Sequence, residues 1–180
     1  MKTESTVKFV LRLTLTLLLI TGVVAAALAG VNAITKDAIA ANQEKKTQEA
    51  LAVVLPEAGN LQKMELSGNT GIDSEVYSEG TSYAVKVLPS GFDGAITMMV
   101  GISDGTVTGI SVISHTETPG LGAVAAAQNA KGEAFRGQFV GQSGELAVGN
   151  QIDAMSGATI TSNAVVTGVN AATAYVASLG

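Results

Sequence analysis

The chain has 180 residues, with 10 Lys and Arg against 15 Asp and Glu, 21 Gly, no Cys and no Trp. The absence of cysteine excludes disulfides, zinc–cysteine sites, iron–sulfur clusters and thiol nucleophiles, because each of these needs the sulfur atom. A net charge of −5 argues against a nucleic-acid partner, since proteins of that class carry basic patches.

An apolar segment near the N-terminus explains why 47% of the residues are hydrophobic and only 14% charged. Leu13 to Val31 contains no charged residue, and as a helix these residues cover about 28 Å, close to the hydrocarbon thickness of a bilayer. Basic residues that flank a first span stay cytoplasmic. Three basic residues and one acidic residue precede the segment: Lys2, Lys8, Arg12 and Glu4.

We therefore expect a single-pass protein of the cell (inner) membrane, with residues 1–12 cytoplasmic, residues 13–31 in the membrane and the bulk of the chain extracytoplasmic. The alternative is a cleaved signal peptide, because Ala27-Leu28-Ala29 satisfies the small-x-small rule for cleavage. Both alternatives export the remainder of the chain. Without residues 1–12 the charges are +7 and −14, so the exported part has a net charge of −7.

The next segment has the composition of a helix. Residues 33–55 contain no Gly or Pro, are rich in Ala, Gln, Glu and Lys, and end at Pro56, which stops a helix. Because residues 37–49 are polar, we interpret residues 32–59 as a stalk helix and linker, and residues 60–180 as an extracytoplasmic domain.

The hydrophobic pattern then changes to the alternation of β-strands. It runs through residues 83–87, 96–102 and 107–112, with a slip between Val107 and Ile110 that predicts a β-bulge. Asp104-Gly105 lies between two of these runs and favours a tight hairpin turn. An antiparallel meander is the simplest assembly of such strands.

Helical patterns follow the strands. Residues 123–130 predict a short helix, residues 135–140 a second short element, and a terminal helix carries an apolar stripe with Thr161 or Ser162 placed to cap it. The members of the stripe are Val165, Val169, Ala172, Val176 and Leu179. Strands followed by helices predict an α+β fold, with a curved antiparallel sheet and helices packed on one side.

Few residues suggest chemistry on their own. His115 is the single histidine, and no G-x-S-x-G, phosphate-binding G-x-x-x-x-G-K-[ST] or metal-ligand pattern is present, so we predict no catalytic residue and no metal site. The glycine-bearing stretch Pro89–Gly94 is interpreted as a surface loop.

Residues 153–162 form a loop of small residues that leads into the terminal helix, where backbone amides and the helix dipole favour an anion. The alternative for this loop is a plain capped helix start.

Two motifs identify a resemblance. Asp153-Ala-Met-Ser-Gly-Ala-Thr159 resembles the flavinylation motif D-x-x-[ST]-G-A-[TS] of FMN-binding domains, and His115-Thr-Glu-Thr-Pro-Gly-Leu-Gly122 resembles a second signature of the same domain. Phe135-Arg-Gly-Gln-Phe139 resembles a third, weaker one. Together with the N-terminal segment, these motifs make the chain similar to the G subunits of Rnf electron-transport complexes over nearly its whole length.

The resemblance implies an FMN-binding domain with FMN joined through a phosphoester to Thr159, formed by a separate flavin transferase that uses FAD. Thr161 is the rival acceptor, although it lies outside the terminal position of the motif. A phosphoester needs no cysteine and leaves the flavin ring electronically unmodified, so that surrounding groups tune its potential. The implied cofactor-binding residues are Thr159, Ser156, Gly157, Ala158, Glu117, Thr118, Gly120 and Leu121.

The second motif also implies roles for individual residues of this set. Glu117 and Thr118 are candidates to hydrogen-bond the flavin ring or ribityl chain, and Leu121 to cover one face of the ring. Gly120 would allow the backbone to approach the ring closely. We expect the flavin to be partly exposed, with residues 115–122 forming the contact face for a redox partner.

The implied function is an electron-transfer subunit, not catalytic alone, of a translocase complex that couples electron transfer between ferredoxin and NAD to movement of Na⁺ or H⁺. The implied partners are the other membrane subunits of that complex. Three alternatives are the C subunit of a sodium-pumping NADH:quinone oxidoreductase, which carries similar motifs, a stand-alone exported FMN electron carrier, and a scaffold protein without a cofactor.

Overall fold

The computed structural model describes residues 6–64 and 75–179, with side chains from Lys8 onward. The chain divides into two compact units, Met1–Lys45 and Lys46–Gly180. Lys2 and Glu4, two of the charges expected on the cytoplasmic side, lie outside the described residues.

Helix α1, Thr6–Val54, is 49 residues long and provides all of the first unit that the structure describes. Among the described residues it is the one helix long and apolar enough to cross a membrane, and its apolar side chains in this unit are exposed. Four threonine hydroxyls in α1 each donate a hydrogen bond to the backbone carbonyl four residues earlier, so these hydroxyls need no water as a partner. The four residues are Thr14, Thr16, Thr21 and Thr35.

The second unit contains a five-stranded sheet, ordered along the chain with every neighbouring pair antiparallel. The strands are β1 Gln62–Met64, β2 Val76–Glu79, β3 Ser82–Val87, β4 Thr97–Ser103 and β5 Thr106–Ser114. The predicted meander is confirmed for β3 to β5. Asp104 and Gly105 connect β4 to β5 with φ of 49° and 74°, the left-handed values that a tight hairpin turn requires.

The predicted bulge is also present. Gly101 pairs with Gly109 but Ile102 pairs with Val107, which leaves Thr108 as the extra residue on β5. Because of this insertion, Val107 and Ile110 face the same layer although they are three residues apart.

Both faces of the sheet are covered, so the expectation of helices on one side is wrong. Alternate residues of the strands, such as Met98 and Met99, belong to two separate buried clusters. One cluster contains helix α3, Thr159–Ala177. The other contains the C-terminal end of α1, whose buried residues are Thr47, Ala50, Leu51 and Val54, together with Leu55 directly after the helix.

The end of α1 therefore belongs to the domain and is not a free stalk. The compact unit begins at Lys46, earlier than the boundary near residue 60 that composition indicates. Thr108 Oγ1 donates to the Val54 carbonyl at 2.6 Å, and a Cβ on Gly101 would lie 2.5 Å from the same carbonyl oxygen. The two strand glycines at 101 and 109 thus let the helix lie directly on the sheet.

The remaining helices differ in detail from their predictions. A 3₁₀ helix, Gly122–Ala126, is followed by helix α2, Ala130–Gly137, whose first turn is capped by Asn129. In α3 the predicted apolar stripe is confirmed as far as Val176, whereas Leu179 is exposed beyond the helix end. The predicted capping by Thr161 or Ser162 is wrong, because α3 begins at Thr159 and no side chain caps it.

Candidate functional site

Three segments meet at one end of the sheet. Val87 pairs with Met98 and Thr97 with Ser114, so the loop after β3 and the segment after β5 leave the sheet at the same end. The first turn of α3 joins them there, and together the three segments surround a cavity of about 330 Å³. Its lining residues are Phe92, Glu117, Thr118, Leu121, Gly122, Gly157, Ala158, Thr159, Ile160 and Thr161.

Six of the eight predicted cofactor-binding residues line this cavity: Glu117, Thr118, Leu121, Gly157, Ala158 and Thr159. The structure therefore brings together two motifs that are some 40 residues apart in the sequence. Ser156 and Gly120 do not line the cavity. Gly120 has a φ of 77°, so the turn itself needs a glycine at this position.

The two candidate acceptor hydroxyls have different surroundings. Thr159 is the first residue of α3, and it is exposed at the cavity. Thr161 is only 1% exposed, and its hydroxyl donates a hydrogen bond to Glu117 Oε2. Of the two, Thr159 is the hydroxyl that an enzyme could reach in the folded protein.

Glu117 is 4% exposed, and both oxygens of its side chain accept hydrogen bonds from other parts of the protein. Its Oε1 accepts from the backbone N–H of Phe92 at 2.8 Å and of Asp93 at 3.2 Å, while Oε2 accepts from Thr161. Two N–H groups and a hydroxyl thus donate to the two oxygens of this side chain. The carboxylate thus connects all three segments of the site.

Sequence reasoning missed part of the cavity wall. The stretch interpreted as a surface loop, Pro89–Gly94, folds against Glu117 and contributes Phe92. Phe92 is 66% exposed, Ile160 56% and Leu121 43%, so three large apolar side chains surround the opening without being buried. The only signal in the sequence is the pair Gly91 and Gly94, which allows the loop to lie close to its neighbours.

The loop before α3 is held by hydrogen bonds from side chains that do not line the cavity. Ser162 Oγ accepts from Met155 N at 2.9 Å and donates to the Ala158 carbonyl at 2.9 Å. Gln138, in the weaker third motif, accepts from Asp153 N at 2.7 Å through its side chain. Gly157 follows with a φ of 73°, which turns the chain into the helix.

The third motif also supports the segment after Gly122. Arg136 Nη1 donates to the carbonyls of Ala125 and Ala127 at 2.7 and 2.9 Å. Burial of the guanidinium lowers the pKa of Arg136, an effect that the nearby Glu133 carboxylate partly opposes. The motif therefore acts as a support for the site and does not line the cavity.

The cavity has the size of a small-molecule site, and its wall includes a helix N-terminus. Its volume lies within the range of about 300–1,000 Å³ typical of small-molecule sites, and exposed apolar side chains surround it. The N-terminus of α3 carries no side-chain cap, so its first N–H groups can bind a phosphate next to the Thr159 hydroxyl. A larger cavity of about 690 Å³, near the other end of α3, contains none of the predicted residues.

Comparison with known proteins agrees with this fit. Residues 91–174 match the FMN-binding domain family, and residues 1–54 match the RnfG N-terminal region. The second unit therefore contains an FMN-binding domain, and the class of protein is a flavoprotein with a helical N-terminal segment.

Relatives along the full chain define the family more narrowly. The chain is 36% identical to the G subunit of the Na(+)-translocating ferredoxin:NAD(+) oxidoreductase complex of Acetobacterium woodii, over 91% of this chain and 89% of the relative. It is 34% identical to the G subunit of the ion-translocating oxidoreductase complex of Methanosarcina acetivorans, over 94% and 95%. It is also 34% identical to the G subunit of the proton-translocating ferredoxin:NAD(+) oxidoreductase complex of Clostridium ljungdahlii, over 81% and 80%. The chain belongs to the family of Rnf complex G subunits.

Proposed function

We propose that this protein is the membrane-anchored flavoprotein subunit that relays electrons through FMN within an Rnf-type complex. That complex would couple electron transfer between ferredoxin and NAD to translocation of Na⁺ or H⁺. The observation that carries the proposal is the cavity at one end of the sheet, formed by the motif segments of a domain that matches the FMN-binding family. A relative with 36% identity is named as part of a Na(+)-translocating complex, and one with 34% identity as part of a proton-translocating complex. Both ions therefore remain in the proposal.

FMN would be attached covalently to Thr159 by a flavin transferase. In that reaction the Thr159 Oγ1–phosphorus bond forms, the pyrophosphate bond of FAD breaks, AMP leaves and the proton of the threonine hydroxyl is released. The exposure of Thr159 and its position at the uncapped start of α3 support this assignment. The remaining negative charge of the phosphodiester would be stabilised by the N–H groups of the first helical turn, because the described residues place no Lys or Arg in the cavity wall.

A denaturing gel tests the attachment. The full chain, co-expressed with a flavin transferase, should carry flavin fluorescence that survives denaturation. Thr159→Ala should abolish this fluorescence, whereas Thr159→Ser should retain it because the hydroxyl is kept. Thr167→Ala removes an exposed threonine hydroxyl from the same helix and is the matched control, with fluorescence unchanged. Retained fluorescence in Thr159→Ala would reject the assignment.

The proposal for topology follows the charge pattern. Residues 1–12 would be cytoplasmic, residues 13–31 would cross the cell membrane once, and the FMN-binding domain would face the outside. Residues 32–45 would connect the span to the domain. Other membrane subunits of the complex and the flavin transferase would be the partners of this domain. The cavity opening, where Phe92, Leu121 and Ile160 are exposed, supports electron exchange at the surface.

A further inference from the structure

We infer that Glu117 is a positioning residue, whose carboxylate holds the loop Gly91–Gly94 in place so that Phe92 forms a wall of the flavin cavity. This inference rests on the proposed function, since it assigns the flavin to the cavity beside Thr159. It differs from the sequence-based expectation that Glu117 hydrogen-bonds the flavin directly.

The Phe92 side chain has little packing of its own to hold it. At 66% exposure it lies outside both buried clusters. Its backbone, in contrast, is bound firmly, because the N–H groups of Phe92 and Asp93 both donate to Glu117 Oε1. The position of Phe92 at the cavity is therefore set by the loop backbone, to which Glu117 supplies two hydrogen bonds.

The glycines around Glu117 show how closely the segments fit. A Cβ on Gly91 would lie 2.2 Å from Glu117 Oε1, and a Cβ on Gly122 would lie 2.3 Å from Oε2. Both positions exclude any side chain while the carboxylate is in place. The two glycines thus allow the carboxylate to lie between the loop and the first turn of α3.

A second contact attaches the same loop. Thr116 Oγ1 donates to the Asp93 carbonyl at 2.5 Å, and the loop closes on itself through Gly91 N to the Gly94 carbonyl at 2.7 Å. Thr116 does not line the cavity. A change at the Thr116 hydroxyl therefore weakens the attachment of the loop without removing a residue of the cavity wall.

Amide hydrogen exchange of the full chain in detergent, without flavin, tests directly whether Glu117 holds the loop Gly91–Gly94. Glu117→Ala removes the acceptor for two N–H groups, and we expect exchange at Phe92 and Asp93 to accelerate about tenfold. Glu117→Gln should stay close to the parent rate, because its amide oxygen still accepts from both N–H groups and Thr161 can accept from its amide nitrogen. Thr116→Val should give an intermediate acceleration, and it keeps the proposal testable where Glu117→Ala does not fold.

Variants that carry covalent flavin test whether the position of the loop affects the surroundings of the flavin. The visible circular dichroism of the bound flavin should decrease in Phe92→Ala, in Glu117→Ala and, less strongly, in Thr116→Val, while Glu117→Gln retains it. Because Glu117 acts through Phe92, the double variant Phe92→Ala/Glu117→Ala should lose no more signal than the larger single loss. Attachment to Thr159 is measured separately on the denaturing gel.

Three results would overturn the inference: unchanged exchange in both Glu117→Ala and Thr116→Val, additive losses in the double variant, or a loss in Glu117→Gln equal to that in Glu117→Ala. The last result would mean that the charge of the carboxylate, and not its hydrogen bonds to the loop, acts on the flavin. If the parent protein carries no flavin, the proposed function fails, whereas the exchange experiment still decides the role of Glu117.

Discussion

Thr159 and Thr161 are two residues apart, yet the fold gives their side chains opposite surroundings. Thr159 has an exposed side chain at the cavity, whereas the Thr161 hydroxyl is buried against Glu117. The helix accounts for this difference, because residues two positions apart point about 200° apart around the axis. An exposed hydroxyl is free for chemistry, and a buried one must keep its hydrogen bond.

The two threonines should therefore differ in their effect on stability. Thr161→Val leaves Glu117 Oε2 without its partner in a buried site, and we expect a loss of about 1–3 kcal/mol in the free energy of unfolding. Thr159→Val at an exposed position should change it by less than about 0.5 kcal/mol. Denaturant unfolding of the flavin-free full chain in detergent measures both. Equal losses in the two variants would contradict the assignment of Thr161 as a structural residue.

Individual residues of the site can be predicted from the sequence only where they belong to a recognisable motif. The segments 117–121 and 157–159 are found because their residue types form recognisable patterns. Phe92 is not found, because a phenylalanine in a loop has no distinctive chemistry and reaches the site through hydrogen bonds between residues 24 and 25 positions apart. Contacts of such long range depend on the fold, which a local pattern does not contain.

The elements of the second unit show where periodicity succeeds and where it fails. The strands β3 to β5 are predicted because their apolar residues alternate over several positions, and the bulge because the alternation slips once. The strand β1 has three residues and β2 four, too few for a reliable pattern. The end of α1 is missed as part of the core because its buried stripe follows a polar segment in the same helix.

Contact between α1 and the sheet depends on Gly101. A Cβ there would lie 2.5 Å from both the Val54 carbonyl oxygen and Thr108 Oγ1, so Gly101→Ala should force the helix from the sheet and cost at least about 2 kcal/mol of unfolding free energy. Gly109→Ala is the matched control on the paired strand, because its nearest neighbour would be at 3.4 Å, an ordinary contact. Thermal unfolding of the full chain measures both. A midpoint for Gly101→Ala equal to that of Gly109→Ala would show that the helix is not held in this way.

An ion-pair cluster across the first three strands predicts a pH dependence. Glu75 binds Lys63 of β1 and Lys86 of β3, the latter at 3.1 Å, and the hydrogen bond from Lys63 lowers the pKa of Glu75 despite its partial burial, with Lys86 adding to the effect. Because the pKa is lower in the folded protein, the stabilisation is present above the ordinary pKa of a glutamate. It is lost as the pH falls through the lowered value.

Glu75→Gln should therefore reduce stability at neutral pH by less than about 1 kcal/mol, since solvent still reaches both ion pairs and screens them, and the difference from the parent should vanish in acid. Unfolding free energies measured at several pH values test this. Glu145→Gln removes an exposed negative charge from a distant loop and controls for the change in net charge. A difference that persists in acid would mean that Glu75 contributes through packing and not through its charge.

For the whole molecule, the chain combines an apolar N-terminal segment with a flavin-binding domain. A membrane anchor restricts the domain to two dimensions, so that encounters with redox partners in the same membrane need no diffusion through bulk solvent. A cleaved leader would instead release the domain. The two alternatives left open by the sequence thus differ in how the protein would work.

Membrane fractionation distinguishes them. If residues 13–31 remain as an anchor, the full-length mass should stay in the membrane pellet after alkaline carbonate extraction, because a run of about 19 uncharged, mostly apolar residues spans the hydrocarbon region. Replacing Leu17 and Leu18 with Arg should release the chain or block export, since each charge near the centre of a span costs about 2.5–3.5 kcal/mol. Replacing exposed Val140 and Leu88 of the second unit with Arg adds the same charges outside the segment and should leave the protein in the pellet. A soluble product that begins just after Ala29 would show that the segment is a leader, and the flavin would then belong to a freely diffusing carrier.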